Sequence, residues 1–447
     1  MPAKLLIQGV ANSKTTPPEA RSPGSSSGTL EKPDLVPLRG KRVGVVVFSH
    51  YPSDPRPRRE AEALAALGMK VDVISLRQDR GEPSREVFNG VNILRIPLQH
   101  KRGGKFSYFF EYGSFFLAAS FLLASRSLIR RYRLIHVHNM PDFLIFASLV
   151  PKVFGAKVIL DLHDPMPELI MAIYGLKEGS FGVRLLKRLE QWSTAFADQV
   201  LTPNVAFLKL FARRSCPETK LRVVMNSPDE TIFKYRRTED GAITRDSAKP
   251  FVIMYHGSLV ERHGVDIAIN ALGLVKHTIP YVELRIYGQK TPFLEQTLDS
   301  VADSGLRESV RYLGSRPLEQ IVEAIDECDV GIIPNRRNAF TELNMPTRIF
   351  EYLCRGKSVI APSTSGIRDY FKEGELIFCD RGDADELAQK LCYVFSNPDE
   401  VREIVRRGQA VYLANRWNQE QAKFVTLTVN LLTGKSFSLP QAELSPG

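Results

Sequence analysis

The sequence predicts an α/β chain made of two doubly wound domains that face each other across a cleft. Three observations carry this expectation. Near-continuous apolar runs, such as Arg42-Val-Gly-Val-Val-Val-Phe48, read as strands buried on both faces of a parallel sheet. These runs alternate with helical patterns, the order that yields a parallel sheet covered by helices on both sides. One polar stretch without periodicity, residues 234–249, splits the series in two. At 447 residues, 43% hydrophobic and 25% charged, the chain is long and apolar enough for two globular domains of ordinary size.

In the first half, the strand at 42–48 leads through a Pro-rich loop, Ser49 to Arg58, into a helix over Arg59–Gly68 that Gly68 stops. Strands follow at Val71–Ser75, Leu134–His138, Lys157–Asp161, Gln199–Thr202 and Leu221–Met225, with a helix near Phe143–Phe154. In the second half, strands are expected at Phe251–Tyr255, Val282–Tyr287, Val310–Leu313, Val330–Ile333, Ser358–Ala361 and Glu375–Phe378. Ligands of such sheets bind beyond the carboxyl ends of the strands, so the residues there are read first for function.

Composition narrows the classes. The net charge of +10 admits nucleic acid, an anionic membrane or a phosphorylated substrate, and no nucleic-acid motif accompanies it. The five cysteines (Cys216, Cys328, Cys354, Cys379, Cys392) lack CxxC spacing, which favours isolated buried thiols in a reducing compartment. The most apolar segment, Phe106–Ser125, is interrupted by Glu111 and followed by Arg126, Arg130, Arg131 and Arg133. A core helix and an interfacial helix on an anionic membrane are weighted equally there, ahead of a transmembrane span.

The most informative segment is Asn344-Met-Pro-Thr-Arg-Ile-Phe-Glu351-Tyr-Leu-Cys-Arg-Gly356, before the strand Ser358–Ala361. It reads as a helix N-capped by Asn344, with Pro346 in its first turn and Gly356 as its stop. Free N–H groups and the dipole at its start suit an anion such as a diphosphate, and Glu351 on the second turn suits a sugar or ribose hydroxyl.

This segment resembles the donor-binding element of retaining GT-B glycosyltransferases of family 4, and the resemblance covers roughly residues 40–433. It implies two Rossmann-like domains, with a disordered leader at 1–39 and an acceptor-side domain at 40–233. A linker at 234–249 and a nucleotide-sugar-binding domain at 250–417 follow, then a helix at 418–433 crossing back onto the first domain and a loose tail at 434–447. Glu351 matches the second of the family's two glutamates. The first falls at Leu343, with Glu342 one residue early. Tyr255-His-Gly257-Ser258 and Glu261-Arg262-His263-Gly264 follow the first strand of the second domain, where relatives place an Arg and a Lys on the donor diphosphate. Here Ser258 and His263 occupy those places, so Arg262 and Arg348 are expected to share the diphosphate with the Gly257 backbone. Gly288 and Gly314 end strands on the cleft side, the second as the better base-binding loop, and Asn344, Met345 and Thr347 complete the donor set.

On the acceptor side, His163 in Asp161-Leu-His-Asp164 matches a family His beside the reacting centre. It is named catalytic together with Glu342 and Arg348, and Asp164 is a secondary candidate. Arg56 and Arg58 are candidates for an acceptor phosphate, a solvated loop being equally weighted. Asn139 belongs to the loop after His136-Val-His138, whose alternation puts both imidazoles on one face. With Asp142 nearby a metal is conceivable at that pair, but a structural or acceptor-loop role is preferred. Asp383-Ala-Asp385 is read as a helix N-cap, and no metal or cofactor is expected for the reaction. The implied function is transfer of a sugar from a nucleotide-diphosphate sugar to a polyprenyl-linked or glycan acceptor, by a cytoplasmic enzyme peripheral at the inner membrane face. Two alternatives stay open. One is a GT-B nucleotide-sugar epimerase, which a donor-only assay separates. The other is a non-catalytic sugar-nucleotide-binding or scaffold protein, which would bind donor without turnover.

Overall fold

The computed structural model describes residues 38–79, 81–98, 105–238, 248–302, 305–380 and 382–435. Nearly all of the 1–39 leader, most of the 234–249 linker and most of the tail lie outside the described residues.

The first domain is an eight-stranded sheet in the order β3-β4-β2-β1-β5-β6-β7-β8. Its strands are β1 (Arg42–His50), β2 (Lys70–Leu76), β3 (Arg85–Phe88), β4 (Val91–Ile96), β5 (Tyr132–His138), β6 (Lys157–Asp161), β7 (Gln199–Thr202) and β8 (Leu221–Val223). All pairs are parallel except the β3–β4 hairpin. The second domain is a six-stranded parallel sheet in the order β11-β10-β9-β12-β13-β14. These strands are β9 (Phe251–His256), β10 (Val282–Tyr287), β11 (Val310–Gly314), β12 (Val330–Ile332), β13 (Ser358–Pro362) and β14 (Ile377–Cys379). The order of this second sheet is the doubly wound 3-2-1-4-5-6. The direction of winding reverses between β9 and β12, which opens a crevice beyond their carboxyl ends. In the first sheet the same reversal falls between β1 and β5.

Alternation along β1 explains why both faces of the first sheet are covered. Val43, Val45 and Val47 point into one apolar cluster and Val46 into another. Helix Lys105–Ile129 covers the second face through a stripe repeating every four residues, with Glu111, Phe115, Ala119, Leu123 and Ser127 all buried. Helix Trp417–Thr433, the expected crossing helix, completes the first face through Phe424, Val425 and Val429. Met225 and Phe233 already belong to the core of the second domain, so the passage between cores falls within residues 225–233.

Local departures from the sequence reading have local causes. The first helix starts at Pro55 rather than Arg59, because prolines at its first positions need no hydrogen-bond donor. The segment 143–154 is a 3-10 helix, Asp142–Ser148, running into the short helix Leu149–Val153. The edge hairpin β3–β4 was not anticipated, whereas Asp383 caps its helix by accepting from the Glu386 N–H, as expected.

Candidate functional site

The carboxyl edge of the second sheet is made of bare backbone. Gly257, Gly288 and Gly314 follow or end β9, β10 and β11, all with positive φ. Gly257 N–H donates to Tyr287 O and Gly288 N–H to Gly314 O, both at 3.0 Å. A side chain at Gly288 would meet Gly257 O at 2.1 Å, so only glycine permits this approach. Gly257 and Ser258 are exposed to the cleft.

Three basic side chains gather around that edge. Arg348 donates from Nη1 to His256 O (2.7 Å) and lies over the Tyr255 ring with Cζ 4.7 Å from its centroid. It is also the neighbour that a Cβ at Gly257 would touch, at 3.4 Å. His263 donates from Nδ1 to Ser258 O (2.9 Å). Burial, with Arg348 and Arg262 nearby, lowers its pKa to about 4, so His263 is neutral and is not the cation the family carries at this place. Burial also lowers Arg262, partly countered by Asp164 across the cleft, and the buried Arg262 Nε has no hydrogen-bond partner.

Glu351 is paired. Its Oε2 lies 2.6 Å from Nε2 of His256, whose Nδ1 is 2.8 Å from the Tyr352 hydroxyl, itself 2.9 Å from Met254 O. The Tyr352 ring fits because residue 331 is glycine; a Cβ there would sit 2.4 Å from the ring. The sequence reading did not single out His256. Its signal was its place on the last residue of β9, just before Gly257.

The helix carrying Arg348 and Glu351 spans Thr347–Cys354, with Pro346 at the cap position. The expected Asn344 N-cap is therefore corrected. The residue before a proline is held in extended conformation, so Met345 and Asn344 stay outside the helix. Met345 is buried in the core of the second domain. The Thr347 hydroxyl donates to Asn226 O of the first domain (3.0 Å). Glu342 is held by Arg337 (2.8 Å) and accepts the Ser365 N–H (3.2 Å), which ties down its loop. Leu343, at the place of the family's first glutamate, packs with Phe340 against the first domain's core.

On the first domain, Asn139 fastens the loops after β5 and β6. Its amide donates to Asp142 Oδ1 and Asp164 O, and its carbonyl accepts the His163 N–H. The His163 side chain is 21% exposed, with Nε2 lying 2.9 Å from His138 Nδ1. Burial raises the Asp164 carboxyl, opposed by His163 and Arg262. Arg56 is not at the acceptor surface. It is buried, with a bidentate contact to Asp161 (2.8 and 2.9 Å) and a bond to Val224 O. Arg58 is also displaced from the cleft. It pairs with Glu62 (3.0 Å) and lies over Phe88, at the amino end of the parallel sheet.

Solved structures superpose on both domains at once. Sucrose-phosphate synthase from Thermosynechococcus elongatus covers 88% of this chain and all of its own, with a TM-score of 0.71 and 16% identity. The fold is GT-B. Anabaena HepE in complex with UDP shares this GT-B architecture at TM-score 0.62 and 15% identity, covering 88% of this chain and all of its own. A family model described as glycosyl transferase 4-like domain matches residues 54–227, and one described as glycosyl transferases group 1 matches residues 250–397. Among curated proteins, the amylovoran biosynthesis glycosyltransferase AmsK of Erwinia amylovora is 26% identical over 44% of this chain and 47% of its own. The probable glycosyltransferase WbjE of Pseudomonas aeruginosa is 23% identical over 54% of this chain and 60% of its own. The aligned GT-B region thus spans about half the length of these relatives.

Proposed function

We propose that this GT-B chain is a retaining glycosyltransferase that moves a sugar from a nucleotide-diphosphate sugar to a lipid-linked or glycan acceptor in polysaccharide assembly. The observation that carries the reading is the exposed Gly257–Ser258 backbone with Arg348 against it and Arg262 facing the cleft with a buried donor unpartnered. A diphosphate seated there gains two guanidiniums and relieves that donor. Glu351, oriented by His256, keeps its other oxygen for a ribose hydroxyl. Gly288 and Gly314 offer backbone to the base, and Asn344, Met345 and Thr347 form the mouth of the donor helix.

In the reaction, the acceptor oxygen bonds to the anomeric carbon as the bond to the donor phosphate breaks. The acceptor proton passes to a leaving phosphate oxygen on the same face of the sugar. Arg348 and Arg262 stabilise the leaving charge, the task a metal performs in other transferases, so the transfer itself is read as metal-independent. His163 and Asp164 touch the sugar from the first domain, held by Asn139, and Glu342 serves by fixing its loop. Anabaena HepE, crystallised with UDP and with UDP-glucose, makes uridine sugars the first donors to test.

The outer face of the first domain supports the lipid side of this reading. Helix Lys105–Ile129 turns Phe110, Leu117, Phe121 and Leu128 to the exterior, beside exposed Leu149 and Val153. Its stretch Phe110–Ile129 is long and apolar enough to cross a membrane by length and composition, yet its opposite stripe is core. With Arg130 and Arg131 at its end, the face suits peripheral binding to an anionic bilayer on the cytoplasmic side. The test of the site is calorimetric titration of UDP- and GDP-sugars into the wild type and the Arg262→Ala/Arg348→Ala variant. Selective binding lost in the variant is expected; unchanged affinity sinks the assignment.

A further inference from the structure

Beneath the cleft, behind His163, the first domain encloses a cluster that the transfer reaction does not use. Glu60, His136, His138 and Asp161 are all fully buried and each presents one ligating atom within 4.8 Å of the others. Three separations are longer than hydrogen bonds: Glu60 Oε2 to His136 Nε2 is 3.6 Å, Glu60 Oε2 to His138 Nε2 is 3.8 Å, and His136 Nε2 to Asp161 Oδ2 is 3.8 Å. Neither ring nitrogen of His136 nor Nε2 of His138 has a hydrogen-bond partner, and the Glu60 carboxyl lies against that of Asp161, with Arg56 Nε 3.6 Å from its Oε1. Buried polar atoms without partners are rare and costly, and here both histidines aim such atoms at the Glu60 and Asp161 carboxyls.

Charge points the same way. Arg56 is shared by the two acids, bidentate to Asp161 and 3.6 Å from Glu60 Oε1, so one guanidinium in contact serves two carboxyls. A proton shared by Glu60 and Asp161 would neutralise the second acid but would leave His136 and Nε2 of His138 with nothing to bond. A cation would engage an atom of all four groups together. We infer that Glu60, His136, His138 and Asp161 form a structural site for a divalent metal ion of the zinc class. Two imidazoles and two carboxylates are a zinc-type donor set, and bonds of about 2.0–2.2 Å put tetrahedral ligand atoms about 3.3–3.6 Å apart, slightly inside the separations found.

The surroundings fit. Burial keeps both imidazoles in the neutral form that binds metals. Arg56 holds Asp161 from outside, and His138 uses its remaining Nδ1 on His163 Nε2, the second contact that orients metal-bound histidines. With the metal on Nε2, His138 must carry its proton on Nδ1 and donate it to His163. His163 then carries its own proton on Nδ1, the nitrogen left for the cleft. The ion thus sets the tautomer of His163 from within the domain. Only this last consequence rests on the glycosyltransferase reading.

The experiment uses the full chain, expressed with zinc supplementation and desalted. Elemental analysis is expected to give about one zinc per chain, falling roughly tenfold in the Glu60→Gln/His136→Gln variant. Dipicolinate is expected to lower the wild-type melting temperature by several degrees, with zinc sulfate restoring it. Should the variant fail to fold, cobalt-loaded wild type decides through the intense visible absorption of a tetrahedral centre. A wild type without stoichiometric metal, with a melt indifferent to chelator and zinc, overturns the site in favour of a shared proton. Zinc retained in full by a folded variant overturns it as surface binding. None of these readouts requires sugar transfer.

Discussion

The two sheets share one winding order but treat their carboxyl edges in opposite ways. At the second sheet the edge is glycine backbone, open to the cleft, with charges arranged around its rim. At the first sheet the edge is filled by its own side chains, with Arg56, Glu60, His136, His138 and Asp161 all buried. The same topology therefore makes a receptor on one side and a rigid wall on the other. What differs is whether the strand-end residues carry side chains that can bond to each other.

The sharpest test pits Arg56→Met against Arg348→Ala. Removing Arg56 strands Asp161 in the interior and is expected to cost about 3–5 kcal/mol of stability in urea titrations. Removing Arg348 forfeits its bond to His256 O and its contact with Tyr255. The loss is expected to cost no more than about 1–2 kcal/mol of stability and to weaken nucleotide-sugar binding about 10- to 100-fold, the worth of a charge-assisted hydrogen bond. Interchanged outcomes would break the comparison outright.

A second test uses pH. Burial raises the Asp142 carboxyl to about 7, opposed by its bond from Asn139. The folded protein then holds a proton that the unfolded chain has released, so stability falls as pH rises from about 4 to about 7, on the order of 2–4 kcal/mol in all. Urea midpoints across that range should fall less steeply for Asp142→Asn; parallel curves would show that burial does not hold Asp142 protonated.

Much of this was legible in the sequence and some was not. Each strand expected from an apolar run is present, and Gly356 ends its helix with φ +72°. Such features depend on near neighbours in the chain. The reading of Arg56 as an acceptor ligand went wrong because its partner, Asp161, lies 105 residues away. His256 was overlooked for the same reason, its partner Glu351 being 95 residues distant. Asn344 is a different case: the cap assignment ignored what Pro346 does to the residue before it. Leu343 interrupts the family pattern because it faces the first domain's core, which only the folded chain reveals.

Smaller effects refine the rim. Glu351→Gln keeps the shape but loses the charge that pairs with His256, and is expected to weaken donor binding about tenfold in calorimetry. Arg58→Ala, far from the cleft, is expected to cost no more than about 0.5 kcal/mol and to leave the acceptor KM unchanged. A raised acceptor KM would restore Arg58 to the acceptor side.

Helix Trp417–Thr433 gives the chain an unusual order of completion. Phe424 stacks on His136, Glu420 accepts the Met225 N–H, and Trp417 lies under Arg59. Synthesis runs from the amino end, so the first domain leaves the ribosome with His136, the Met225 N–H and Arg59 lacking these partners until the whole second domain has followed. The nascent half-molecule is thus expected to depend on this late helix to complete its apolar face. A circular permutant that supplies this helix ahead of β1 should release that dependence and let the first domain mature alone.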